Sequence, residues 1–311
     1  MTVVRLNLWY PFNLISGYPQ TEGYTAAALG TVDVYTGIGS GMSQEVGADP
    51  GLDPEAAKDL LLYAPGSGTG NTMPFNAVST RWLSEGPAKE RIYMTTQWSG
   101  SLMLADPDDP ASIQRRLTRP SRYGYGNVNS PAFVSGFTMG AHHIRGLLQV
   151  ITYIFPNLEK ITLFGQSSGA TAILAYLAGF AGDEPVDPRI VGAFLNAPTQ
   201  AGLGTGSWNN PARLTNSFSQ LFGLPLARRT LVAYADNDLY APPDMARRYQ
   251  AACPNDAETY FVSPGAVGHN WMSDVANQDL VMQWIYQVHN EETFTLRDGV
   301  TPALPGATGV L

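Results

Sequence analysis

The chain has 311 residues, 44% hydrophobic and 14% charged, with a formal net charge of −8; it can bury one large core, and its acidic balance argues against nucleic-acid or anionic-membrane partners, which need basic patches. A single cysteine, Cys253, excludes an internal disulfide and reads as a small core residue in a helix. The four histidines form no cysteine–histidine cluster of zinc spacing, and neither a metal nor another cofactor is expected.

The first residues, Met1-Thr2-Val3-Val4-Arg5-Leu6, place no basic stretch before a long apolar run, and Pro11 breaks the segment beyond them. No signal peptide or membrane span is therefore expected, and the expected location is cytoplasmic. Residues 3–10 and 31–37 read as early strands, a candidate antiparallel pair. Leu60-Leu61-Leu62-Tyr63-Ala64 is a continuous apolar run, as in a strand covered on both faces. Pro65-Gly66-Ser67-Gly68-Thr69-Gly70-Asn71 comes next. It lacks both the G-K-[ST] ending of a P-loop and G-x-G-x-x-G spacing, so a phosphate cradle is not expected. Arg91-Ile92-Tyr93-Met94-Thr95-Thr96 is the next strand. A long interruption, 98–138, holds Arg115, Arg116, Arg119 and Arg122 ahead of Tyr123-Gly124-Tyr125. Loops of that length are functional or carry helix of their own.

Ile144, Leu147, Leu148 and Ile151 mark the apolar face of a helix, with His142 and His143 as polar residues near its start. A strand over 160–164 and an apolar helix over 170–180 come next, then a strand at Ile190-Val191-Gly192-Ala193-Phe194-Leu195-Asn196-Ala197. The second interruption, 199–229, carries Trp208, Leu214, Phe218, Leu221 and Phe222. These either pack the insertion onto the core or line an apolar pocket. Strands are predicted at 231–235 and 259–262, and a helix over 280–288 that leaves His289 at a solvated C-terminus. The tail, 301–311, has no periodicity. Strands alternating with helical patterns place the chain in the α/β class, one domain over 1–311 with a mostly parallel sheet.

Chemistry concentrates at Gly165-Gln166-Ser167-Ser168-Gly169, where an apolar strand ends abruptly in G-x-S-x-G and an apolar helix begins. That order is the context of a nucleophile elbow, whose strained turn exposes the serine hydroxyl. A Cβ at Gly165 or Gly169 would collide where helix crosses strand. Serine needs a base, and the base needs an orienting acid; with this elbow the acid and then the histidine come later in the chain. His269 lies in Ser263-Pro264-Gly265-Ala266-Val267-Gly268-His269-Asn270-Trp271, a loop past a late strand, and is the well-placed histidine downstream. The acid falls in Asp236-Asn237-Asp238. Asp238 is favoured because it lies beyond the strand and can reach the next loop; Asp236 competes, or ties down the turn through its own backbone. Asp244, after Pro242-Pro243, reads as a first-turn helix residue.

These motifs, G-Q-S-S-G at 165–169, A-D-N-D-L-Y-A-P-P at 235–243 and V-G-H-N-W at 267–271, resemble the α/β-hydrolase superfamily over roughly residues 58 to 290. The block 235–271 is also similar to the C-terminal portion of homoserine O-acetyltransferases. The resemblance implies a central, mostly parallel sheet flanked by helices, with insertions 98–138 and 199–229 over the site, the second where the superfamily inserts a cap. It implies Ser167 as nucleophile, Asp238 as acid and His269 as base. One oxyanion donor would be the N–H of Ser168. The other would come from the loop after the third strand, where Gly66, Ser67 and Gly68 compete and Ser67 is chosen. The expected activity is hydrolysis of a small-molecule carboxylic ester or acyl substrate through an acyl-enzyme. Acyl transfer or thioester hydrolysis is the alternative, and a non-catalytic binding protein the third reading.

Overall fold

Five consecutive apolar residues cannot sit on a half-exposed strand, and residues 60–64 are buried along their whole length. The computed structural model describes residues 2–11, 27–36, 54–66, 76–87, 90–96, 136–181, 185–198, 228–239 and 259–291. Its strands are β1 (Thr2–Pro11), β2 (Ala27–Thr36), β3 (Asp59–Ala64), β4 (Arg91–Thr96), β5 (Lys160–Gln166), β6 (Ile190–Asn196), β7 (Thr230–Ala233) and β8 (Thr259–Val262). The helices among the described residues are α1 (Asn76–Ser84), α2 (Gly136–Ile154), α3 (Ser168–Leu177) and α4 (Gln278–His289). Two short 3-10 turns, Trp271–Ser273 and Val275–Asn277, lead into α4.

The strands form one sheet in the order β1-β2-β4-β3-β5-β6-β7-β8. β2 is antiparallel to both its neighbours, and every pairing from β4 across to β8 is parallel. The second strand begins at Ala27, ahead of the expected residue 31, because its ladder runs the full length of β1, from Thr2↔Thr36 to Pro11↔Ala27.

Side chains alternate across β3 with period two. Leu60, Leu62 and Ala64 face one layer, with Ile144, Leu147 and Ile151 of α2 and Ile173 and Leu177 of α3. Leu61 and Tyr63 face the other, with Trp82 of α1 and Val281, Trp284, Ile285 and Val288 of α4. In this second layer Phe164 stacks on Phe194 at 5.6 Å, and Trp284 meets Phe194 edge-on at 5.5 Å. Each such fully buried side chain contributes about 1.5–3 kcal/mol through area removed from water.

The chain leaves β3 toward α1 in one layer and leaves β5 toward α3 in the other, while β4 and β5 flank β3 on opposite sides. The carboxyl ends of β3 and β5 therefore form a topological switch point, the place where open α/β sheets bind ligands.

Two expectations need correction. The helix read over 170–180 ends at Leu177. Gly179 takes φ +85 and donates to the Tyr176 carbonyl, and Phe180 donates to that of Ala175. This is a Schellman stop, so Phe180 is apolar because it packs back on the core as the residue after the αL glycine. His289 does end α4, but it is 3% exposed rather than solvated. Its Nδ1 lies 2.9 Å from Thr162 Oγ1, its Nε2 lies 3.6 Å from Asp59 Oδ2, and its ring meets Trp82 edge-on at 4.8 Å.

Asp59 carries a consequence for stability. Burial opposes its ionisation, but the hydrogen bond and charge of His289, with the charges of Arg91 and Lys160, outweigh it and hold the carboxyl below its ordinary value. A depressed native pKa stabilises the fold above the unfolded value of about 3.9 and loses that effect as pH falls through the native value. Asp59→Asn is expected to melt below wild type at neutral pH, the two converging in acid below about pH 4. Melting curves across pH test this; a constant gap down to strong acid would contradict it.

Candidate active site

The turn after β5 is built by crowding. A Cβ on Gly169 would strike the Ala64 carbonyl, and one on Gly165 would lie 2.7 Å from Ala170 Cα. Glycine at both places lets α3 start directly against the ends of β3 and β5. Between them Ser167 adopts φ 54, ψ −119, a conformation costing about 1–3 kcal/mol for a residue with a side chain. The surroundings hold it there. Its N–H donates to the Asn196 carbonyl at 2.9 Å, and its carbonyl accepts from Thr171 N at 3.0 Å and Thr171 Oγ1 at 3.2 Å.

Ser167 is the N-cap of α3, yet its hydroxyl makes no capping bond. The first backbone residue of α3 is Ser168, whose N–H belongs to the donor-rich end of the helix. The loop after β3 passes close by: a Cβ on Gly66 would lie 3.1 Å from Ser167 Cβ and 3.7 Å from its Oγ. Ser67, chosen as the second oxyanion donor, lies outside the described residues, as do Gly68, Asp244 and Cys253. So do nearly all of the insertions, except 136–138, which open α2, and 228–229. His142 and His143 fall within α2, and their side chains are not among those described.

The turn after β7 and the loop after β8 are joined residue by residue. Ser263 Oγ donates to Asp236 Oδ1 at 2.6 Å, and Asp236 N–H donates to the Gly265 carbonyl at 3.0 Å. Asn237 Oδ1 accepts from Gly268 N–H at 2.6 Å. Asp238 Oδ2 lies 2.7 Å from His269 Nδ1. Asp236 thus ties the turn, while Asp238, with its side chain wholly buried, meets the imidazole. An ionised carboxylate only accepts, so Nδ1 carries the proton in that bond, and in a neutral ring Nε2 is the acceptor.

The histidine loop is in turn fastened to the strand ends beside Ser167. Gln166 and Asn196 are paired in the β5–β6 register and are both buried. Gln166 Nε2 donates to Asn270 Oδ1 at 3.3 Å, and Asn196 Nδ2 to the His269 carbonyl at 3.4 Å. Asn196 Oδ1 accepts from Trp271 Nε1 at 2.8 Å, and the Trp271 ring packs edge-on against Trp284 at 5.7 Å. Sequence reading missed both amides. Their signal was an amide side chain closing each of two apolar strands, K-I-T-L-F-G-Q and I-V-G-A-F-L-N.

Among the described residues no group of three or more His, Cys, Asp or Glu could hold a metal ion. No helix among them is long and apolar enough to cross a membrane.

No protein-family model matches this sequence, and no curated protein matches it. Its shape does match solved structures. A protein from Agrobacterium vitis S4 named as a hydrolase aligns with a TM-score of 0.53 at 11% identity, over 93% of this chain and 100% of that one. The esterase domain of a Rhodothermus marinus protein gives 0.49 at 10% identity, over 91% and 98%. A predicted CIB-like hydrolase from Thermoplasma acidophilum gives 0.48 at 10%, over 93% and 100%. At 11% identity the first likeness is one of fold alone. With the strand order above, it shows that the chain has the α/β-hydrolase fold, a mostly parallel central sheet flanked by helices.

Proposed function

We propose that this protein is a serine hydrolase that cleaves a small carboxylic ester through an acyl-enzyme. The observation that carries the reading is the 2.7 Å contact of His269 Nδ1 with Asp238 Oδ2, made by a loop fastened to the strand ends beside Ser167. Ser167 Oγ would attack the ester carbonyl while His269 Nε2 takes its proton. Asp238 would keep the proton on Nδ1 beforehand and stabilise the imidazolium afterwards. The imidazolium then protonates the leaving alcohol. Water, deprotonated by the same imidazole, attacks the acyl-enzyme and releases the acid.

The tetrahedral oxyanion would be met by the Ser168 N–H and by a backbone N–H of the loop after β3, assigned to Ser67 on the sequence. Two such donors matter because each is worth on the order of 10²–10³-fold in kcat at sites of this kind. The strained Ser167 backbone serves the same end, presenting the hydroxyl at the switch point instead of spending it on the helix cap.

Purified protein given a graded series of p-nitrophenyl esters and acyl thioesters, with and without an added alcohol or amine, tests the reading. Release of free acid from the oxygen esters, unaffected by the acceptor, is expected. Acyl appearing chiefly on the acceptor would reassign the protein to acyl transfer, and preference for the thioesters to a thioesterase. No turnover of any of them would favour a binding protein on this fold.

A further inference from the structure

Two buried amides stand where the nucleophile segment meets the histidine loop, and for Asn196 chemistry fixes how the amide is turned. Trp271 Nε1–H can only donate, so the Asn196 atom facing it is Oδ1, and Nδ2 is left to face the His269 carbonyl. Burial pushes the Tyr63 phenol above its ordinary pKa, so its hydroxyl stays protonated. It donates to Gln166 Oε1 at 3.0 Å, which leaves Nε2 to face Asn270 Oδ1. Gln166 is bonded through the main chain to Ser167, and the Asn196 carbonyl accepts the Ser167 N–H. One end of each contact is therefore held by the serine's own backbone, and the other holds His269 or the residue after it.

We propose that Gln166 and Asn196 are positioning residues: a pair of strand-end amides, in register, that sets the His269 imidazole against Ser167. The pair acts on the serine-hydrolase reading above and adds to it a device for holding base to nucleophile. At 3.3 and 3.4 Å both loop contacts are long for amide bonds, and their consequence is geometric. Asp238 fixes which way the ring faces but leaves open how far the loop stands from Ser167. The two amides supply that second restraint. Displacement of a reacting group by about 1 Å can cost on the order of 10²-fold.

The test compares wild type with Gln166→Met, Asn196→Leu, Asn270→Ala and the double variant Gln166→Met/Asn270→Ala. Asn270 is exposed, so its truncation leaves the fold intact and removes the Gln166 contact from the loop side. Asn196→Leu keeps the volume and brings no charge into this fully buried position while losing the donor to His269; it also leaves Trp271 Nε1–H without this acceptor, a cost the melting curve reads. Three readouts are taken: ester kcat and KM, the rate of Ser167 phosphonylation by a fluorophosphonate, and the melting curve. Each single variant is expected to lose about 10- to 100-fold in kcat and in phosphonylation rate, with KM nearly unchanged. The double variant should lose no more than Gln166→Met alone, since both changes break one contact. Variants that react at the wild-type rate, or that lose only melting temperature, would overturn the proposal. A wild type that never phosphonylates at Ser167 would instead remove the serine-hydrolase reading on which it rests.

Discussion

Ser167→Ala is expected to lower kcat for an activated ester by on the order of a millionfold, the scale of removing a triad serine outright. The fold should survive, because what holds this turn is main chain. The Ser167 N–H to Asn196 and the two bonds from Thr171 to the Ser167 carbonyl do not involve the hydroxyl. Alanine must occupy the same φ 54 conformation, so the strain is carried over and not relieved. Kinetics and a melting curve on the same preparation decide it. Activity within tenfold of wild type on a protein that melts normally would remove Ser167 from the chemistry.

Asp238→Asn is expected to cost on the order of ten-thousandfold in kcat. An asparagine NH2 facing His269 Nδ1 would donate to it, which moves the imidazole proton to Nε2 and leaves nothing there to accept from Ser167. Asp236→Asn should remain within about tenfold of wild type, because an amide oxygen can still accept from Ser263 Oγ in the turn. The two substitutions are chemically identical and two residues apart, and melting curves on both separate the loss of a catalytic partner from the cost of changing a buried side chain. If Asp236→Asn were the more damaging, the acid role would pass to Asp236.

Much of the architecture was legible because the central parallel strands β3, β5 and β6 are buried nearly throughout. Continuous apolar runs at 60–64 and 190–195 mark strands directly, and the glycines around Ser167 reflect the close approach of α3 to β3. Both carboxylates past the end of β7 reach the loop after β8, Asp236 at Ser263 and Asp238, farther along, at His269. Burial of a helix end was not legible. His289 closes an amphipathic helix as a solvated cation would, and only its tertiary partners, Thr162 at a separation of 127 residues and Asp59, show it to be interior. The strand-end amides were hidden for the same reason. Gln166 finds Tyr63 and Asn270, 103 and 104 residues away, and Asn196 finds Trp271 at 75, pairings no local pattern encodes. Phe180 misled in the opposite sense, because an apolar residue after an αL glycine continues the hydrophobic pattern of a helix that has already stopped.

The most direct test of the central claim is peptide mapping by mass spectrometry after reaction with a fluorophosphonate. One phosphonyl group per chain is expected, on the peptide bearing Gly165-Gln166-Ser167-Ser168-Gly169, located to Ser167 and absent from Ser167→Ala. Folded protein that takes up no label, or that carries it on another residue such as Ser168 or Ser67, would contradict it.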